Sequence, residues 1–144
     1  MKDLRSGFTL IEILLIIAII GVLAAVALPF FQGHIIRARL VEVENSMASI
    51  KSAVWAYHHD TESWPNCTTI TEVQNSLGVG LGAVNRISGV TIVNGFITVT
   101  IRNVDPIVDG KTLILMPNPS GDGSTGWTWG WSADFPVHLR PRTR

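Results

Sequence analysis

The hydrophobic rhythm of the chain changes twice. From Phe8 to Phe31 apolar residues dominate, and between Ile13 and Gly33 no residue is charged, enough for a helix across a bilayer core of about 30 Å. From Ile36 the rhythm becomes amphipathic: Ile36, Leu40, Val43, Met47, Ile50, Val54 and Tyr57 alternate spacings of four and three, the stripe of a half-buried helix. Arg37, Arg39, Glu42, Glu44, Asn45, Ser49, Lys51 and Ser52 lie between them as a wet face. Together the two stretches predict one helix from Phe8 to about His59, roughly 78 Å long at 1.5 Å per residue. Pro29 falls inside it, lacks an N–H and clashes with the carbonyl of Ala25, so a kink or local break is expected there, with Gly33 as a second soft point.

After Tyr57 the pattern turns polar in "HHDTESWPNCTT", whose proline ends the helix, and "TEVQNSLGVGLGAVN" reads as a connection with a short helical or turn start. The period then becomes two. "GVTIV" and "FITVTI" flank Asn94-Gly95, the residue pair favoured in a tight type I′ hairpin, and Ile97, Val99 and Ile101 share one face of the second arm. A third strand, "TLILM", stops at Pro117, and a fourth, "WTWGW", follows the loop "PNPSGDGSTG". The predicted fold is α+β: a long N-terminal helix, half transmembrane and half amphipathic, packed on a three- or four-stranded antiparallel sheet. Trp127, Trp129 and Trp131 point to one face, with core packing expected and a solvent-side aromatic patch for adhesion or subunit contact as the alternative.

Charge and composition narrow the function by exclusion. The formal net charge is zero, so no global field recruits nucleic acid. Arg140, Arg142 and Arg144 with His138 form the one basic cluster, expected as a solvated tail; DNA contact is the weaker alternative. Cys67 is the single cysteine, which rules out an intramolecular disulfide and a multi-thiolate zinc site, and it is expected to be buried. His58, His59 and Asp60 are a poor ligand set because adjacent helix residues do not face one another, and "DPIVDG" and "SGDGSTG" read as turns. No Ser/His/Asp, Cys/His or phosphate-loop constellation has a supporting context. The expectation is a non-enzyme without cofactor or metal.

The sharpest feature is a carboxylate, Glu12, at the start of the apolar run. An acid at the centre of a membrane helix costs about 2.5–3.5 kcal/mol on insertion scales and calls for a partner. Three readings fit the segment: a plain anchor, a removed signal peptide, or something more specific. Lys2 and Arg5 supply a basic n-region and "AVA" at Ala25–Ala27 mimics a cleavage site, while Arg37 and Arg39 on the far side leave orientation open. Against removal at Ala27, Glu12 has no purpose in a disposable segment, and the helical pattern continues past it.

"GFTLIE" followed by "AIIGVLAAVALPFFQ" closely resembles the class III signal and N-terminal helix of type IV pilins and their pseudopilin relatives. The resemblance implies a leader at residues 1–7, a transmembrane and assembly helix at 8–33, and a globular head at 34–144. It implies cleavage by a prepilin peptidase after Gly7, N-methylation of the new terminus at Phe8, and pairing of Glu12 with the Phe8 amine of the adjacent subunit, self-pairing being the alternative. Cleavage there removes Lys2, Arg5 and Asp3 from eleven residues of each sign, leaving nine basic and ten acidic. The expected function is a structural subunit of a type IV pilus with identical or related subunits as partners. An inner-membrane assembly platform and membrane lipid are the other expected partners, and the expected site passes from the bacterial inner membrane to a surface filament serving motility or adhesion. The resemblance also implies that the helix before Pro29 loosens in the filament. The alternatives are a type II secretion pseudopilin, a DNA-uptake minor pilin, or a secreted domain cut after Ala27. The NG hairpin, "GKTLILMP" and the Trp-rich strand resemble type IVa major pilins. One departure stands out: many of these close a C-terminal loop with a disulfide, and here Trp131 and Arg144 fall roughly where the cysteines would be. Either packing by Trp or Phe135 then holds the tail, or the tail is mobile.

Overall fold

The structure, a computed structural model, describes residues 7–121 and 124–142, apart from the side chains at 29 and 30. Lys2 and Arg5 of the leader, the centre of the "SGDGSTG" loop and Arg144 lie outside the described residues. The chain divides into two compact units, Met1–Ile35 and Ile36–Arg144.

The first unit holds the apolar start of α1 (Leu10–Thr61). This helix begins two residues later than the hydrophobic pattern suggests, because Thr9 caps it: the Glu12 N–H lies 3.1 Å from the Thr9 carbonyl oxygen and 3.4 Å from its Oγ1. Within the span Leu10–Leu28 no residue is buried. α1 continues as helix through Pro29 and Gly33.

The second unit carries the rest of α1, a short helix α2 (Ile70–Leu77) and strands β1 (Ile87–Val93), β2 (Phe96–Ile101), β3 (Thr112–Pro119) and β4 (Thr125–Trp131). The strands form one antiparallel meander in the order β1-β2-β3-β4. Asn94 and Gly95 close the first hairpin with φ of 51° and 82°, the left-handed conformation that a type I′ turn demands. β3 does not stop at Pro117 but runs to Pro119, pairing Pro117 with Trp127 and Pro119 with Thr125. Its pairing with β2 ends at Leu115, so beyond that point it has a strand on one side only, where a residue without an N–H is tolerated.

The helical stripe does what its period predicts. Leu40, Val43, Met47, Ile50 and Val54 are all buried against Ile92, Ile97, Val99, Ile101, Leu113 and Leu115 of the sheet, and Ile36 and Tyr57 at the two ends are half-buried. Each such side chain contributes about 1.5–3 kcal/mol of transfer free energy. The connection from helix to sheet is tied at both ends. Cys67 exchanges two backbone hydrogen bonds with Ile92, at 3.0 and 2.7 Å, which occupies the outer edge of β1. Thr69 caps α2 by accepting the Glu72 N–H, while the Glu72 carboxylate reaches back to the Thr68 N–H at 2.6 Å and its hydroxyl at 3.0 Å.

Candidate functional site

At the front of the chain Gly7, Phe8 and Thr9 precede the helix, and Phe8 is 74% exposed. Gly7 is exposed, and a side chain there would meet nothing within 4 Å. Glu12 is exposed in the first helical turn. That turn leaves N–H groups without intrahelical acceptors and carries the positive end of the macrodipole, which favours a carboxylate by about 0.3–1 kcal/mol. Thr9 and Glu12 thus stand in the order of a capping box, with Phe8 held outside the helix. Leu10, Ile13, Leu14 and Ile17, at the three- and four-residue spacings of one helix face, line an apolar groove of about 360 Å³ together with Phe8 and Thr9. The same segment therefore presents an exposed Gly7–Phe8 peptide bond, an exposed acid and a run of apolar side chains left unburied by the described residues. Pro29 and Gly33 lie further along the same helix, away from this cluster in sequence.

The C-terminal tail departs from the solvated stretch that its arginines suggest. Phe135 and Leu139 are buried in the core. The Arg140 guanidinium sits 4.8 Å from the centroid of the Trp131 ring and donates to the Phe135 carbonyl oxygen at 3.3 Å. Arg37 of α1 donates to the His138 carbonyl oxygen at 2.9 Å, and Lys111 pairs with Asp134. An indole–guanidinium contact thus ties the tail to the end of β4. Arg142 is exposed. The basic cluster is split, because Arg140 is spent on structure.

Two of the supposed wet-face residues also prove structural. Besides Arg37, Arg39 donates to the Val104 carbonyl oxygen at 2.7 Å, closing the loop in which Asp109 Oδ1 accepts the Val104 and Asp105 N–H groups. Their long side chains reach backbone acceptors distant in sequence, and no periodicity signals that. Trp127, Trp129 and Trp131 face the core side with Leu113 and Leu115 and pack against it half-buried. His58 faces aromatic rings, and His59 lies 3.8 Å from Asp60 with both exposed, so the three do not converge on one point. Burial pushes the Cys67 thiol up from its ordinary value, which keeps it protonated and inert.

Comparison with known proteins matches both units. A family described as pilin (bacterial filament) matches residues 36–143, and the prokaryotic N-terminal methylation motif matches residues 3–28. The fimbrial protein EcpC of Eikenella corrodens is 35% identical over 136 residues, covering 93% of this chain and 88% of the relative. The type IV major pilin protein PilE of Neisseria gonorrhoeae is 37% identical over 132 residues, covering 90% and 77%. A fimbrial protein of Neisseria meningitidis serogroup A is 37% identical over 132 residues, covering 90% and 75%.

Proposed function

We propose, from the premise that this chain belongs to the pilin family of bacterial filaments, that it is the structural subunit of a type IV pilus, cut after Gly7 and polymerised through the apolar start of α1. The observation that carries this reading is the unburied span Leu10–Leu28, in a chain whose second unit has a buried core of its own. A helix of that composition needs either lipid or other helices around it. Before assembly it anchors the subunit in the inner membrane; in the filament it packs against the same segment of related subunits.

Cleavage between Gly7 and Phe8 by a prepilin peptidase creates a positive amine on the residue that Thr9 holds outside the helix. Methylation at Phe8 keeps that charge. Among apolar neighbours an unpaired Glu12 carboxylate is strongly disfavoured, and the amine of an incoming subunit removes that penalty. Glu12 therefore sets the axial register, because only one offset between neighbouring helices brings the two charges together. Pro29 and Gly33 are the points at which α1 bends to suit the filament. The assembly platform in the inner membrane is the further partner this sequence of events requires.

The direct test is to shear cells and measure the N-terminal peptide mass of this chain in the extracellular fraction. Abundant chain beginning with methylated Phe8 is expected. A chain beginning at Leu28 would overturn the reading in favour of a secreted domain, and Phe8 confined to membranes would redirect it to a secretion pseudopilin.

A further inference from the structure

We propose that the groove between Trp55 of α1 and Trp127 of β4 is a binding site for a pyranose ring, with sugars bearing a carboxylate preferred. The groove is about 420 Å³ and is lined by Lys51, Ser52, Trp55, Ser124, Thr125 and Trp127. That volume lies in the range of small-molecule sites. Its chemistry is two-sided. The indoles offer apolar, electron-rich faces, and Lys51, Ser52 and Thr125 offer an ammonium and hydroxyls beside them. A pyranose has the matching pair of surfaces, a face of C–H bonds and an equator of hydroxyls. An acyl chain would leave the polar groups unused and desolvated, which disfavours it.

Neither indole is needed whole by the core. Trp55 lies beside the buried stripe rather than on it and is half-buried, as is Trp127. Trp55 is also held in place before any ligand arrives. Its ring stacks on His58 with centroids 5.7 Å apart and planes 12° from parallel, and His58 lies 3.9 Å from Trp64. Trp64 in turn presses on the hairpin glycine Gly95, where an added Cβ would come within 2.7 Å of the indole. A platform fixed by three successive contacts loses little rotamer freedom on binding. Lys51 lines the groove beside both indoles and makes no ion pair among the described residues, and its ammonium is the group that would take a carboxylate. Single-stranded nucleic acid could also stack on indoles, but it needs a cationic track for its backbone, and this groove supplies one cation.

The test is tryptophan emission of the full chain in a detergent without a sugar headgroup, titrated with glucuronic acid, glucose and a short single-stranded DNA. Saturable change with both sugars is expected, tighter for glucuronic acid. Trp55→Ala should weaken both by about tenfold or more, as for an aromatic anchor, and Lys51→Gln should abolish the preference while keeping glucose binding. Val93→Ser, outside the groove, should bind as the parent does. If Trp127→Ala fails to fold, Trp55→Ala, Lys51→Gln and Thr125→Ala still decide the matter. Absence of saturable change with either sugar, undiminished binding by Trp55→Ala, or binding of the DNA alone would each overturn the proposal.

Discussion

Glu12 has two demands on one carboxylate: it complements the start of its own helix, and in the proposed polymer it receives a neighbour's amine. Glutamine keeps the shape and the capping geometry but abolishes the charge. Glu12→Gln is therefore expected to insert in the membrane at the parental level while sheared filament falls by at least about tenfold, since breaking a buried ion pair costs about 3–5 kcal/mol; quantitative blotting of the two fractions checks it. Two other glutamates act on the fold with opposite signs. The Thr68 N–H and hydroxyl and the Thr69 cap hold Glu72 below the ordinary 4.5, so its stabilising effect is complete above 4.5 and disappears as pH falls through the lowered folded value. Burial raises Glu44 above 4.5, with Arg37 opposing, so its contribution is greatest below 4.5 and is lost as pH rises through the raised folded value. Glu72→Gln should accordingly lower the Tm at pH 7 and flatten the acid limb of the stability profile, whereas Glu44→Gln should raise the Tm at pH 7. Thermal melts between pH 3 and 7 separate the two, and a rise in Tm at pH 7 for Glu72→Gln would refute the assignment.

At the scale of elements, turns and caps decide where the periodic segments stop. Gly95 combines a φ of 82° with direct contact to the Trp64 ring, whereas the α2 cap Gly78 has a φ of 64° and open space around it. Gly78→Ala should then cost about 1 kcal/mol from conformation alone, and Gly95→Ala more, by about 1–3 kcal/mol, because the indole must also move. Chemical denaturation of both variants gives the comparison, and equal losses would show that Trp64 yields freely. These elements also show what sequence can and cannot reveal. The period-four-and-three stripe from Leu40 to Val54, the alternation Ile97–Val99–Ile101 and the Asn94-Gly95 turn were legible because backbone geometry alone sets their periods. The extension of β3 through two prolines was not, since it depends on which flank of the strand lacks a neighbour. Nor were the roles of Arg37, Arg39 and Arg140, whose acceptors are carbonyl groups brought near by the fold.

For the whole molecule, the proposed site can be stated from the front of the sequence because its logic is local: a glycine before the proposed scissile bond, a charge five positions on and an apolar helix behind them. The groove at Trp55 and Trp127 cannot be, since its walls come from a helix and a strand about seventy residues apart. If the helix before Pro29 loosens in the filament, as the family resemblance implies, amides from Gly21 to Leu28 should exchange faster in filaments than in detergent-held subunits. Equal protection of this segment in the two states would sink that expectation.

The Trp131–Arg140 contact carries a consequence for how this subunit matures. Tail closure here rests on an indole, a guanidinium and the buried Phe135, and the chain's one thiol is buried elsewhere. Folding of the unit from Ile36 to Arg144 therefore needs no electron acceptor and no isomerase to sort disulfide bonds. A subunit reaching a reducing compartment would close its tail as readily as one reaching an oxidising compartment, and dithiothreitol would leave an assembled polymer's tails shut.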